Sequence, residues 1–197
     1  DIRTYAATEN FELPPTVTVR AKQLPVLVGA SDQFSARLTK VAKLRARWAK
    51  REDISCYRIY DADLPDYAVS IDLYQGCTSS KRWLQISEYA APHDIDATLA
   101  KKRLLDVLTI APEVLEVPPH HVNLRIRTRA KGGSQYVSEG EVPTCAHKQT
   151  LLIDEGGLTF EVDFSQHLDC GIFLDHRQTR AMIREMMKTA GTAKSFL

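Results

Sequence analysis

The sequence predicts an α+β fold: an antiparallel mixed sheet, built as strands, a helix and further strands, flanked by an N-terminal basic amphipathic helix and a C-terminal exit helix. Three observations carry this. Apolar residues recur at helical spacing over residues 34–51 and again from Asp94 or Asp96 to about Ala111. Between and after these stretches, apolar and polar residues alternate with a period of two. Finally, Glu155-Gly156-Gly157 separates two β-rich runs in the pattern of a hairpin. No internal repeat is present.

Taken in order, residues 1–32 are weakly patterned. Leu13-Pro14-Pro15 and Pro25 interrupt regular structure, and the segment reads as a linker or extended arm, with Val26-Leu27-Val28-Gly29-Ala30 as a short apolar run able to dock. Ser31 or Asp32 caps a helix whose inner stripe is Phe34, Leu38, Val41, Leu44 or Arg45, and Trp48. The rest of that helix carries Arg37, Lys40, Lys43, Arg45, Arg47, Lys50 and Arg51 and no acid. Solvated helices commonly alternate charge sign to gain pairs one turn apart, so a face of one sign points to a polyanion. The acids Glu52, Asp53, Asp61, Asp63 and Asp66 follow directly.

Three strands come next, at Cys56–Tyr60, at Tyr67 to Leu73, and at Trp83–Tyr89, forming a meander. The second helix then runs to about Ala111, where Pro112 ends or kinks it. Val122 to Arg129 is the cleanest alternation, with Val122, Leu124 and Ile126 inward and Arg125, Arg127 and Arg129 outward. A hairpin over 150–164 and an exit helix to about Ala190, closed by Gly191, complete the described order.

Composition narrows the function. The chain has 197 residues, 44% hydrophobic and 26% charged, with a net charge of +1. No apolar run approaches the roughly 18 residues needed to span a bilayer, so no membrane partner is expected. Near-neutrality argues against a globally basic nucleic-acid binder but permits a local basic patch. Cysteines at 56, 77, 145 and 170 form no CxxC pair, which points to a reducing, cytoplasmic compartment. Cys145 with His147, His167 with Cys170, and His120-His121 match no structural zinc spacing, so no metal is expected. The glycines include no GxG, and neither GxSxG nor HExxH occurs, which leaves no nucleotide-cradling loop or familiar hydrolase motif. His176 has the right chemistry for a general base, but a packed or ion-paired role fits its setting better. Trp48, Tyr57, Tyr60 and Tyr136 lie among the bases, a combination suited to RNA backbone contact and base stacking, with Trp48 assigned to the core.

Leu44 to Arg51, then Cys56-Tyr57-Arg58-Ile59-Tyr60-Asp61-Ala62-Asp63-Leu64-Pro65-Asp66-Tyr67, Glu88-Tyr89-Ala90-Ala91-Pro92, and Leu168-Asp169-Cys170-Gly171-Ile172-Phe173-Leu174-Asp175-His176-Arg177 resemble the bacterial bifunctional 23S rRNA guanine methyltransferase family of the K/L type. The resemblance covers about residues 34–197 and is to the start of the K half. It implies an S-adenosylmethionine (SAM)-dependent enzyme that methylates guanine N7 in 23S rRNA, with the catalytic Rossmann-like domain starting near Phe196-Leu197. Cys170 stands where the family commonly has threonine before the glycine. No Asn/Asp-Pro-Pro-Tyr motif is present, so an adenine-methylase reading gains no support.

The chain is accordingly expected to begin and end inside a longer polypeptide, to hold no catalytic residue, and to bind SAM poorly by itself. The expected divisions are an arm (1–32), a basic helix (33–55), an RNA-positioning α+β domain (56–168) and a connector (169–197). Expected RNA contacts are Arg37, Lys40, Lys43, Arg47, Lys50 and Arg51, then Arg125, Arg127 and Arg129. By resemblance, Gly171, Phe173, Asp175 and Arg177 border the cofactor pocket. Expected partners are 23S rRNA and the remainder of the polypeptide. The alternatives are a stand-alone RNA-binding or ribosome-assembly module, or a protein-interaction domain with an acidic partner.

Overall fold

A computed structural model describes residues 13–79, 81–89, 96–126, 150–165 and 170–189. Its centre is a four-stranded sheet in the order β3-β4-β5-β6, with β3 at Tyr57–Asp61, β4 at Val69–Gln75, β5 at Arg82–Glu88 and β6 at Val122–Ile126. Two short hairpins accompany it: β1 (Thr16–Val19) with β2 (Lys22–Pro25), and β7 (Thr150–Glu155) with β8 (Leu158–Asp163). The helices are α1 (Ser31–Arg51), α2 (Ala97–Leu115) and α3 (Arg177–Thr189).

The first three central strands form the expected antiparallel meander, with a register shift between Arg58 and Tyr60. β6 then pairs parallel to β5, which makes the sheet mixed. The reversal follows from the connection: α2 crosses the sheet and returns the chain to the same end, as a parallel neighbour requires.

Strand alternation gives the sheet two different faces. Tyr57, Tyr60, Val69, Ile71, Leu73, Leu84 and Ile86 face α1 and α2, where Phe34, Leu38, Val107, Ile110 and Ala111 close the larger apolar cluster. Phe34 stacks on Tyr67 at 4.9 Å and meets Tyr60 edge-on at 5.3 Å. The opposite face carries Arg58, Ser70, Asp72, Gln85 and Ser87, with Tyr74 and Trp83 at one end. Among the described residues, apolar groups cover that end, through Leu151, Ile153, Val162 and Phe164 of the second hairpin together with Cys170 and Ile172. Burial there raises the Cys56, Cys170 and Tyr74 pKa values.

Within the segment read as a linker or arm, residues 16–25 instead form a hairpin on the core. Val17, Val19, Leu24 and Val26 are all buried against it. Arg20 and Ala21, both with positive φ, supply the tight turn without the glycine that would have signalled it. The following turn is held by Asp106 of α2, a carboxylate only 1% exposed, which accepts from Leu27 N (2.7 Å), Val28 N (2.9 Å) and Ser31 Oγ (2.6 Å). Ser31 is thus the first residue of α1 and bonds across to α2, while Ala30 occupies the cap position without a side-chain bond.

Asp96 caps α2 by accepting from Thr98 N at 2.8 Å. Pro112 does not end that helix, which continues to Leu115. The extra turn places Val114 and Leu115 in the core, and Pro112 O accepts from the Glu116 and Val117 amides at its close. The anchoring of these buried side chains outweighs the one backbone bond that proline removes.

The second hairpin docks through Cys77 N, which donates to Leu152 O at 2.8 Å. A Cβ added at Gly76 would lie 2.7 Å from Ser79 O and 2.9 Å from Leu151 Cδ1. Gly76→Ala is therefore expected to destabilise the chain by about 1–3 kcal/mol, read by urea unfolding. Trp83 is stacked between His121 (4.4 Å) and Phe164 (5.2 Å), and burial lowers the His121 pKa. A lowered folded pKa means that the unfolded chain binds the proton more readily. The associated stability is present above the ordinary histidine range, ~6.5, and is lost as pH falls through the folded value. His121→Gln is expected to flatten that part of a thermal-stability profile taken from pH 8 to pH 5.

Candidate RNA-binding surface and groove

Two features involve α1. The first is the outer face of α1. At 3.6 residues per turn, Lys40, Lys43, Arg47 and Lys50 fall within a sector of about 80°. All four are exposed, and none makes an ion pair with another described residue. The flanking bases differ: Arg37 binds Asp63 at 2.9 Å and Arg51 binds Glu52 at 2.9 Å. Asp63 and Glu52 thus pair with bases that flank this stripe and leave the stripe itself open.

The second is a groove of about 630 Å³ between the C-terminal half of α1, the open part of the polar sheet face, and residues 170–177. Its floor is a connected network. Arg58 forms a double hydrogen bond with Asp72 (2.8 and 3.1 Å) and also contacts Asp61 (3.2 Å), while Tyr89 donates to Asp61 at 2.5 Å. The Asp72 hydrogen bonds hold the Arg58 pKa above its ordinary value. Arg45 and Trp48 line one wall, and Phe173, Asp175 and Arg177 the other. Trp48 is half-buried, packed on the core and edge-on to Tyr57 at 6.0 Å, in line with its assignment to the apolar stripe.

Of the residues expected near the cofactor, Phe173, Asp175 and Arg177 line one wall of the groove. Arg177 points inward, where it donates to Cys56 O at 2.6 Å, approaches Glu155 at 3.7 Å and lies 6.0 Å over the Trp48 ring. Desolvation lowers its pKa. Gly171 supplies a turn at φ 88° and is exposed, whereas Phe173 and Asp175 stand at the groove mouth. With the arginine already engaged and no glycine-rich loop beside it among the described residues, this set does not by itself fit SAM. α3 is fixed by Arg180, which binds Glu155 at 2.7 and 2.8 Å.

Arg125 is half-buried on the polar sheet face beside Ser87, not on an outer surface. The alternation placed it correctly opposite Val122 and Leu124, but both faces of this sheet are partly covered. Arg127, Arg129, Tyr136, Cys145, His147 and His167 lie outside the described residues. His176 is exposed beside Phe173 at 5.6 Å. Sequence reasoning missed Arg45 as a groove residue and Gln85 altogether. Arg45 sits on the inward stripe beyond Leu38, at the point where α1 overhangs the sheet, and only the stripe's phase gave notice of it. Among the described residues, no group of three or more His, Cys, Asp or Glu side chains could hold a metal ion, and no helix is long and apolar enough to cross a membrane.

The sequence has extensive relatives. It is 41% identical over 181 residues to ribosomal RNA large subunit methyltransferase K/L of Methylococcus capsulatus, covering 92% of this chain and 23% of that protein. Proteins of the same name from Allochromatium vinosum and Vibrio cholerae are 45% and 44% identical, over 76% and 78% of this chain and 19% and 20% of their own lengths. The chain spans about a quarter or less of the length of these curated relatives. No family model matches it. Two solved structures, each named as a candidate methyltransferase, one from Streptococcus mutans and one complexed with SAH, superpose with TM-scores of 0.42 and 0.41. They are 19% and 20% identical and cover 76% and 74% of this chain and 35% and 34% of theirs. Likenesses at that level carry no functional argument.

The chain is a homologue, over nine-tenths of its length, of part of the ribosomal RNA large subunit methyltransferase K/L family.

Proposed function

We propose that this chain is the substrate-positioning part of a SAM-dependent 23S rRNA methyltransferase, from the half that methylates guanine N7. The observation that carries the RNA-binding role is the stripe of Lys40, Lys43, Arg47 and Lys50, four exposed cations without carboxylate partners among the described residues. Like charges at this spacing repel one another, and a phosphate backbone offsets that cost. The family relationship supports an RNA substrate and a methyl-transfer reaction for the longer protein. Residues 33–55 and 56–168 then act together, α1 holding the phosphates and the sheet domain setting the angle of approach. Residues 169–197 lead toward a catalytic domain that supplies SAM and the reacting groups. The protein works in the cytoplasm, where its substrate is made.

Two measurements test this. Filter binding of the 197-residue chain to a 23S rRNA fragment should show affinity that falls steeply with salt, as counterion release requires. Binding that is absent, or insensitive to salt, would remove the RNA-positioning role. Calorimetric titration with SAM should show weak binding or none; tight binding would mean that the chain holds the cofactor pocket itself.

A further inference from the structure

We propose that the groove beneath Arg45 and Phe173 receives a single unstacked RNA base whose ring carries an imino N–H, guanine or uracil, with its pairing edge on Gln85 and its face against Phe173. This rests on the RNA-binding reading above and adds a place where the sheet domain reads a base.

Three observations lead to it. First, the floor holds a buried acceptor with no hydrogen-bond partner among the described residues. Arg58 is engaged by Asp72 and Asp61, Asp61 by Tyr89, Asp63 by Arg37, and the Tyr74 hydroxyl by Cys170. Gln85 is only 6% exposed and lines the groove, yet its Oε1 has no hydrogen-bond partner among the described residues. A buried carbonyl left unpaired costs about 1–3 kcal/mol, so a donor arriving from a ligand is favoured there. Second, Phe173 keeps 57% of its surface exposed at the mouth of the groove, its nearest ring neighbour being the exposed His176. An exposed aromatic beside a polar recess is the arrangement on which splayed-out bases stack. Third, Arg45 stands on the rim without an ion pair to any described residue, in the C-terminal half of α1 on the face turned away from the basic stripe. It places a second cation site on the groove side of the same helix.

The size and chemistry agree. A volume of about 630 Å³ lies within the range of roughly 300–1,000 Å³ typical of small-ligand sites. With the Asp61, Asp63 and Asp72 carboxylates already paired, the Gln85 carbonyl is the buried acceptor of the lining left for a ligand donor. Guanine and uracil offer a ring N–H to that acceptor, whereas adenine and cytosine present a ring nitrogen that is itself an acceptor.

The test uses the 197-residue chain and fluorescent oligoadenylate 12-mers, unmodified or carrying one central guanosine, uridine or 1-methylguanosine. One guanosine or uridine is expected to raise affinity about tenfold over oligoadenylate, and 1-methylguanosine, which lacks the imino proton, to give no gain. Phe173→Ala, at an exposed position, and Gln85→Leu should each abolish the gain while leaving oligoadenylate affinity unchanged, with circular dichroism confirming the fold. Equal affinity for all four oligomers, or a gain that survives in Phe173→Ala, would overturn the groove assignment while leaving the basic stripe in place. Failure of the unaltered chain to bind any oligomer or the rRNA fragment would overturn both.

Discussion

Asp106→Ala is expected to lower the unfolding free energy by about 3 kcal/mol or more, one of the largest single-residue effects in the fold. The carboxylate accepts from two backbone amides and one hydroxyl that belong to a segment 75 to 79 residues earlier in the chain. Its removal leaves Leu27 N, Val28 N and Ser31 Oγ facing the space it vacated, and Ser31 keeps only its contact with the Tyr67 hydroxyl at 2.9 Å. A buried donor left unpaired, as Ser31 Oγ would be, costs on the order of 1–3 kcal/mol, and the two part-buried amides add a smaller loss each. Asp106→Asn retains one acceptor oxygen and should fall between the two. Urea unfolding followed by fluorescence gives the ordering directly. A change below about 0.5 kcal/mol for the alanine variant would show that the turn at 26–30 does not depend on this residue.

Reversing charge at Lys43, Arg47 and Lys50 together should weaken binding to a 23S rRNA fragment by two orders of magnitude or more at low salt. For single-stranded contacts each lost phosphate interaction reduces the slope of log K against log salt by about 0.7, so three should reduce it by about 2. All three residues are exposed and lack described ion-pair partners, so the variant should unfold at the same temperature as the parent. The same reversal at Arg37 and Arg51 should do less to RNA, because their guanidinium groups already face Asp63 and Glu52. Unchanged affinity and slope in the triple variant would refute the phosphate-binding role of α1. Binding of an acidic protein in competition with RNA would identify the stripe as an interaction surface of another kind.

Much of this architecture is legible in the sequence because burial there is one-sided. α1 keeps Phe34 and Leu38 inside and its bases outside, so its periodicity is clean. The same holds for the β7–β8 hairpin, whose Gly156 and Gly157 both take positive φ. β4 is harder to read, since six of its seven residues are buried on one face or the other. The β1–β2 hairpin escaped notice because its turn uses Arg20 and Ala21 and its strands are only four residues long. Of the two outcomes expected at Pro112, an end or a kink, the end is overridden for a related reason, the packing of Val114 and Leu115. The parallel entry of β6 could not be read from alternation, which reports burial and not direction. In the candidate site, the charged stripe was visible from residue type and spacing alone. The groove was not, because it joins Arg45, Gln85 and Phe173 across 128 positions of sequence and depends on which polar atoms remain unpaired after folding.

The two apolar clusters lie on opposite faces of one sheet, and the smaller is built largely from residues 151–172. Amide hydrogen exchange should therefore fall into two tiers. Protons of β4, β5 and α2, enclosed by the larger cluster, should exchange only through global unfolding, whereas those of β7 and β8 should exchange through a lower-energy opening in which the hairpin lifts as a unit. Because Phe173 follows directly from that smaller cluster and Arg180 is tied to Glu155 at the end of β7, the same opening would carry the far wall of the groove away from α1. The floor would stay in place while the wall moves, giving the chain a hinged jaw whose hinge energy is set by a handful of buried side chains.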